Sequence, residues 1–274
     1  MTQNITIEVE PKVAQIIIYP IKSLDGKVVD RSKISPGGAL EFDRRWAIVD
    51  VNGKVVNAKR TAKIQQIRST FDFVGSEDRL LVSLSTTEDP CSETFCLTTE
   101  LDRLANWLSD FFGFPVSLNE DTVIGFPDDS AAYGPTIIST ATLLTICDWF
   151  PEVDLAEARR RFRTNLELDG VPAFWEDKLF GGLDRVIDFK LGDVQFHGTN
   201  PCQRCIVPTR NSLTGNITTK FQQNFNRYRQ QTMPIETNKS RFNHYYRLSV
   251  NTRILHSEAD KFLNIGDLIS FSVE

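Results

Sequence analysis

The chain has 274 residues, of which 41% are hydrophobic, 24% charged and 10% aromatic, and this composition excludes collagen-like, fibrous and intrinsically disordered proteins. Its 31 basic and 36 acidic residues give a formal net charge of −5, so we expect neither nucleic acid nor anionic lipid as a partner. The longest apolar runs, such as residues 16–21, are too short to span a bilayer, and the N-terminus lacks the basic start of a secretory signal. Five scattered cysteines argue against a disulfide scaffold, and we expect a cytoplasmic protein with no membrane span.

Short strands separated by close turns are predicted for the first part of the chain. Apolar runs and alternating apolar and polar residues indicate the strands, and Pro20, Asn52-Gly53 and Gly75 are turn signals between them. The predicted strands cover residues 13–19, 28–34, 46–50, 54–58, 69–75 and 79–85. Because Asn-Gly is a strong hairpin signal, the segments 46–50 and 54–58 are predicted to pair. The pattern is typical of a small barrel or sandwich.

Helices are predicted next, and strands return after them. Thr99 is the expected N-cap of the first helix, which Gly113 and Pro115 end. Further helices are predicted from near Ser139, over 154–161 and over 217–231, and strands over 164–168, 184–198, 205–209 and 265–273.

The predicted fold class is α+β and mostly β, with two β-barrel-like lobes and a few packing helices. We expect two domains, at residues 10–125 and 126–274. Their boundary is placed in the loop at 119–135, which is rich in Asp, Gly and Pro.

The segment PCQRC at residues 201–205 is the sharpest chemical feature of the sequence. Its two thiols could be half of a zinc site, but zinc takes four ligands and only His197 is near in sequence. They could also be a thioredoxin-type dithiol, although such a pair usually precedes a helix. A third interpretation is a single thiolate, activated by Arg204, that ligates a soft metal or acts as a nucleophile. The fourth is two unreactive cysteines in a turn. The spacing alone leaves all four open.

Three further segments carry groups that suit an anionic ligand. Lys22-Ser23 follows the first buried strand, and Arg44 lies in the segment FDRRW. Arg163 and Asn165 come after a run of arginines that itself suits the negative end of a helix. An arginine fork matches a phosphate, and an asparagine amide can pair with the edge of a heterocycle. Each segment also has an ordinary structural explanation as a turn residue, a surface ion pair or a helix end.

Taken together and in order, these segments resemble the MOSC family, the molybdenum-cofactor sulfurase C-terminal domains with their N-terminal β-barrel partner. The layout is similar to that of the mitochondrial amidoxime-reducing component and its bacterial relatives. The resemblance extends from about residue 13 to the turn at 265–267. It is carried by YPIKS (19–23), GALEFDRRWAIVD (38–50), RFRTNL (161–166), FWEDKL (174–179), LGDV (191–194), PCQRCIVPT (201–209) and TG (214–215).

The resemblance implies that the chain binds the molybdenum cofactor, Mo-molybdopterin. It places Cys205 as the ligand of the metal and as the catalytic residue, with Cys202 as a neighbour that does not ligate. A thiolate is a soft ligand, which fits this role. Lys22, Ser23 and Arg44 match family positions that contact the phosphate-bearing pterin.

Four more residues are expected near the cofactor. Arg163 and Asn165 keep the arginine and asparagine of a family pattern that often has proline between them, where this chain has Thr164. Ser139 and Thr209 carry hydroxyls that could support the cofactor.

The function that the resemblance implies is an oxidoreductase that reduces small N-hydroxylated (N–O) substrates. Because we find no cysteine-rich ferredoxin extension, we expect the electrons from an external protein, of ferredoxin or cytochrome type, with its reductase. One alternative is a carrier that holds the cofactor, or a sulfur atom on Cys205, for another enzyme. Another is a structural or zinc-bearing β protein that has lost the cofactor.

Overall fold

A computed structural model describes residues 10–75 and 79–271, which contain fifteen strands and four α-helices. The strands are β1 (Lys12–Ile18), β2 (Lys27–Val29), β3 (Arg31–Lys33), β4 (Trp46–Asp50), β5 (Ile67–Val74), β6 (Arg79–Thr86), β7 (Glu93–Cys96), β8 (Val116–Glu120), β9 (Ile137–Ser139), β10 (Leu166–Asp169), β11 (Ile187–Leu191), β12 (Val194–Gln203), β13 (Arg247–Arg253), β14 (Phe262–Asn264) and β15 (Ile269–Phe271). The helices are α1 (Leu101–Phe112), α2 (Thr140–Trp149), α3 (Leu155–Phe162) and α4 (Phe221–Gln231). The predicted α+β, mostly β class is confirmed. Across these residues, no helix combines the length and the apolar character that crossing a bilayer requires.

The largest sheet joins the two halves of the chain. Its eight strands lie in the order β15-β11-β12-β13-β9-β10-β1-β2, and β9 and β10 are its parallel neighbours. β1 and β2 thus complete a sheet whose other six strands come from the second half, and β14 returns to pair with β3. The remaining strands form the pair β4–β8 and the three-stranded sheet β5–β6–β7. The predicted domains at 10–125 and 126–274 share the largest sheet, and their boundary remains a prediction.

Two apolar clusters support the fold. β1 pairs with β10 along one edge and with β2 along the other, and its apolar side chains are buried on both faces of the sheet, which explains its continuous apolar run. A second cluster packs α2, α3 and α4 together through aromatic rings, with the centroids of Phe150 and Phe221 4.2 Å apart. Phe162, the last residue of α3, belongs to this cluster and is fully buried. Its packing therefore anchors the start of the segment 163–165.

The predicted hairpin at residues 46–58 is only half formed. Its first strand is β4. The predicted second strand, at 54–58, is wrong, because only Val55 forms a bridge to β4, at Val49. β4 pairs with β8 over five residues. The turn itself forms, because Asp50 N donates to the Lys54 carbonyl at 3.0 Å. The segment after the turn also bonds to Arg60, whose guanidinium donates to the carbonyl oxygens of Lys54 and Val55 at 3.0 Å.

The predicted strand at 205–209 is also wrong. Residues Val207–Thr209 form a 3₁₀ turn, because Pro208 has no N–H to donate and its fixed φ suits a turn. Within this turn the Thr209 hydroxyl donates to the Ile206 carbonyl at 2.7 Å.

Other predicted elements differ from the structure at their ends. The N-cap of α1 is Glu100 and not Thr99, and the Glu100 carboxylate accepts a hydrogen bond from Cys96 N at 2.8 Å. The predicted strand at 28–34 is divided into β2 and β3. Parts of the predicted turn after Gly75 and of the last predicted strand, residues 76–78, 272 and 273, lie outside the described residues.

A cluster of charged side chains is buried in the second half of the chain. Arg229 and Asp177 form an ion pair there, and the Thr237 hydroxyl donates to Asp177 at 2.8 Å. Glu176 is 1% exposed, and neither of its carboxylate oxygens has a hydrogen-bond partner among the described residues. Burial, reinforced by the charge of Asp177, raises the pKa of Glu176 to about 7.

Glu176 makes the stability of the fold depend on pH. Because its pKa is higher in the folded state, its contribution is full below the unfolded value of 4.5 and is lost as the pH rises to about 7. Relative to Glu176→Gln, which mimics the protonated acid, the wild-type free energy of unfolding should fall by up to about 3 kcal/mol over this range. Urea unfolding of both proteins from about pH 5 to about pH 8 measures the difference. A constant difference would show that Glu176 titrates normally.

Candidate functional site

A cavity of about 550 Å³ is the centre of the candidate site. It opens between the loops after β1 and before β4 on one side, and the segments around α3, β10 and the end of β12 on the other. Nine cationic and four acidic side chains line it, an excess of five positive charges in a chain whose net charge is −5. The cationic residues are Lys22, Lys59, Arg44, Arg68, Arg160, Arg161, Arg163, Arg204 and Arg247. Such a cavity suits an anionic ligand.

Most of the predicted site residues meet at this cavity. Those that line it are Lys22, Ser23, Arg44, Arg163, Asn165 and Cys205. Ser139 and Thr209 are buried away from its lining and make local hydrogen bonds. The Ser139 hydroxyl oxygen caps α2 by accepting from Thr142 N at 3.0 Å, and the Thr209 hydroxyl bonds within its own turn. Their expected contact with a cofactor stays a prediction.

Two arginines flank the buried ring of Tyr19. The guanidinium carbons of Arg163 and Arg44 lie 4.1 Å and 5.2 Å from its centroid, which is cation–π distance. Burial raises the pKa of Tyr19 to about 12, although both arginines oppose the shift, so the phenol stays neutral. The Arg44 guanidinium is ion-paired with Asp43. The Arg163 guanidinium makes no hydrogen bond or ion pair with the described residues, so its donors are available to a ligand.

Asn165 holds Arg44 in place. Its side-chain oxygen accepts from Arg44 Nη1 at 3.3 Å and from Thr136 N at 3.2 Å, and its amide nitrogen donates to the Ile17 carbonyl at 3.0 Å. The residue is 1% exposed. The Thr136 hydroxyl also donates to this oxygen at 3.2 Å. The predicted pairing of this amide with a heterocycle therefore has to compete with four internal bonds, and the structure gives Asn165 a positioning role.

Three of the predicted site residues have a left-handed backbone. The φ angles of Ser23, Arg44 and Arg163 are +76°, +51° and +51°, values that non-glycine residues adopt infrequently. Such conformations persist where the surrounding structure enforces them, and they cluster at ligand-binding sites. Ser23 makes no side-chain hydrogen bond with the described residues, so its hydroxyl can serve a ligand.

Lys22 is hydrogen-bonded to the loop at residues 125–128, which lies beside the cavity. Its ammonium donates at 2.7 Å both to the Phe126 carbonyl and to the Asp128 carboxylate. Although desolvation opposes it, the charges of Lys22 and Arg44 hold the pKa of Asp128 below its usual range. The loop passes close to the site at Gly125, where a Cβ atom would lie 2.8 Å from the Arg44 carbonyl oxygen. A ligand that binds Lys22 must share it with Asp128 or displace that carboxylate.

Both thiols of the PCQRC segment line the cavity and are half-buried and unpaired. Arg204 contacts Cys202 Sγ at 3.1 Å and also donates to the Phe162 carbonyl, while its buried Nε has no hydrogen-bond partner among the described residues. Within residues 10–75 and 79–271, no group of three or more His, Cys, Asp or Glu side chains is placed to hold a metal ion, so the zinc interpretation lacks ligands. The dithiol interpretation lacks its helix, because a 3₁₀ turn follows Cys205.

Tyr19 and Asp128 are site residues that the sequence patterns did not indicate. Tyr19 begins the segment YPIKS, so its place three residues before Lys22 was an available signal. Asp128 had none, because it lies 106 residues from Lys22 in a loop of several acidic residues.

The fold and the cavity define a mostly β protein with a basic ligand site that contains two thiols. Two family models match the chain: the MOSC N-terminal beta barrel domain over residues 10–115 and the MOSC domain over residues 136–269. The chain belongs to the MOSC family.

Several relatives of the chain are named molybdenum cofactor sulfurase. The protein from Drosophila grimshawi is 28% identical over 235 residues, which are 76% of this chain and 29% of the relative. Those from Drosophila melanogaster and Drosophila yakuba are 26% and 25% identical over 75% and 94% of this chain, and 28% and 34% of their own lengths. The chain thus spans about a third or less of the length of these relatives. Its MOSC domain and these similarities relate it to the molybdenum cofactor.

Proposed function

We propose that this chain binds the molybdenum cofactor in the cavity, with Cys205 as the protein ligand of the metal, and reduces N-hydroxylated small molecules. The observation that carries the proposal is that one cavity combines an excess of positive charge with the Cys205 thiol. The cofactor has a phosphate and a metal bound by sulfur, so it requires cations and a soft ligand. Membership of the MOSC family supports the same cofactor.

The residues present fit the phosphate-bearing part of such a group. Arg163 offers a guanidinium without a protein partner, and Ser23 offers a hydroxyl without one, both among the described residues. Arg44 is held towards the cavity by Asp43 and Asn165. These side chains would bind the phosphate through charge-assisted hydrogen bonds, which are about twice as strong as neutral ones.

When bound, the cofactor supplies a metal centre that can exchange two electrons. The overall change takes an N–OH group, two electrons and two protons to an N–H group and water. We expect the electrons from a separate electron-transfer protein of ferredoxin or cytochrome type with its reductase. The chain itself would bind and orient the cofactor and the substrate through Cys205 and the basic side chains that line the cavity.

A second candidate is a carrier that passes on the cofactor, or a sulfur atom held as a persulfide on Cys205. This candidate is supported by the similarity of the chain to proteins named molybdenum cofactor sulfurase. The two thiols at the cavity, with Arg204 between them in sequence, also suit sulfur chemistry.

Metal and pterin analysis of the full chain, expressed in a host that makes the cofactor, tests both candidates. We expect molybdenum and pterin near one per chain, and reduction of an amidoxime by chemically reduced viologen, which removes the need for the natural donor. Cofactor or persulfide without turnover would favour the carrier. Protein with neither cofactor nor persulfide would contradict both candidates.

A further inference from the structure

Two segments of the chain contain no acidic residue. Residues 51–71 carry five basic and no acidic residues, and residues 194–235 also carry five basic and none acidic. The chain as a whole has more acidic than basic residues, so the two segments depart strongly from its average. They lie far apart in sequence, and whether they form one surface depends on the fold.

The fold brings these two segments together beside the cavity. Arg210 Nη1 donates to the Ala58 carbonyl at 2.8 Å, and Arg68 contacts the Ser212 carbonyl at 3.4 Å. At Gly215, a Cβ atom would lie 3.7 Å from the Ala62 side chain. The loop after Cys205 therefore packs across residues 58–68. Among the basic residues of the two segments, Arg60, Arg68 and Arg229 are ion-paired with carboxylates. Lys59, Arg210 and Lys220 form no ion pair with the described residues, so their charges are available to a partner.

This face also exposes apolar side chains. Ile206, Leu213 and Ile217 are 48%, 39% and 70% exposed, and all three belong to the loop that follows the Cys205 thiol. Lys59 is exposed and lines the cavity, and Lys220 is exposed three residues after Ile217. We call these five residues, together with Arg210, the mouth face. An apolar centre with a charged rim is the usual composition of a protein–protein interface.

We propose that the mouth face docks an acidic electron-transfer protein of the ferredoxin type next to the Cys205 site. Charge complementarity selects an acidic partner, because basic residues on this face would attract it and repel basic proteins. The role in electron delivery rests on the proposed function, whereas the docking itself does not.

The composition of the mouth face favours a protein over a lipid surface. Membrane-binding faces typically present aromatic residues at the interface. The exposed apolar residues of the mouth face are aliphatic, and the exposed aromatic side chains among the described residues are Phe114, Phe262 and Phe271, which lie outside the two acid-free segments.

Binding of an acidic [2Fe–2S] ferredoxin to the full chain tests the proposal. We compare Lys220→Glu with Lys190→Glu, which makes the same change of charge on β11. Lys190 pairs with Gln195, seven residues from Cys202 along β12, or about 23 Å. At low salt we expect the dissociation constant of the ferredoxin to rise roughly tenfold in Lys220→Glu and to change little in Lys190→Glu. Ile217→Ser should also weaken binding, and added salt should weaken the wild-type complex.

Equal binding of the ferredoxin by both charge variants, or no binding of the ferredoxin to the wild type, would overturn the proposal. So would preferential binding to phosphatidylglycerol vesicles, which would assign the face to a membrane. Molybdenum and pterin content, measured on the same preparations, reports separately on the proposed function. Cofactor-free protein that still shows the charge-dependent binding would leave the docking surface intact and reject the proposed function.

Discussion

Protein with the substitution Cys205→Ala is expected to lose its molybdenum when it is expressed beside the wild type in a host that makes the cofactor. We expect at least a roughly 100-fold lower metal content, because removing an outer partner of a metal ligand already costs about 10–100-fold. Turnover of an amidoxime should fall with the metal. Pterin should be retained better than metal, because the basic side chains that would hold its phosphate are unchanged.

Cys202→Ala is the matched control for this substitution. Cys202 lines the same cavity and is a half-buried, unpaired thiol, but it is Cys202 that Arg204 contacts, at 3.1 Å. We expect this variant to keep its molybdenum. Loss of metal in Cys202→Ala with full retention in Cys205→Ala would show that Cys202, and not Cys205, is the metal ligand.

Replacing Arg163 by alanine is expected to weaken retention of the pterin by about 10- to 100-fold, since one charge-assisted hydrogen bond is worth about 1.5–3 kcal/mol. The fold should tolerate the change, because within the described part of the chain the Arg163 guanidinium has no ion pair or hydrogen bond to break and lies over the Tyr19 ring. Pterin fluorescence after dialysis, with urea unfolding of the same samples, measures both effects.

Arg45→Ala is the control for this second prediction. Arg45 belongs to the same FDRRW segment as Arg44, but it pairs with Glu120 at 2.6 Å and does not line the cavity. Retention of pterin should be unchanged in this variant. Equal losses in Arg163→Ala and Arg45→Ala would mean that net charge, and not the position of Arg163, determines binding.

Local signals predicted most elements of the fold. The apolar run at 13–19 became β1, α2 begins beside Ser139 as predicted, and Gly113 ends α1 in the left-handed conformation that glycine favours. Strand pairing was harder to predict, as the loss of the strand at 54–58 shows. The turn before it forms, but the five-residue partner of β4 is β8, which comes from far along the chain.

The sequence by itself determined the types of residue available for chemistry: two thiols at fixed spacing, and basic residues that follow a strand or a helix. Only the tertiary structure decided how they combine. It placed Asp128 on Lys22 and turned the Asn165 amide inward to Arg44, contacts that join residues 106 and 121 positions apart. The physical reason is that local propensities act over a few residues, whereas the charge of a cavity and the partner of a buried amide depend on segments that meet only when the sheet has formed.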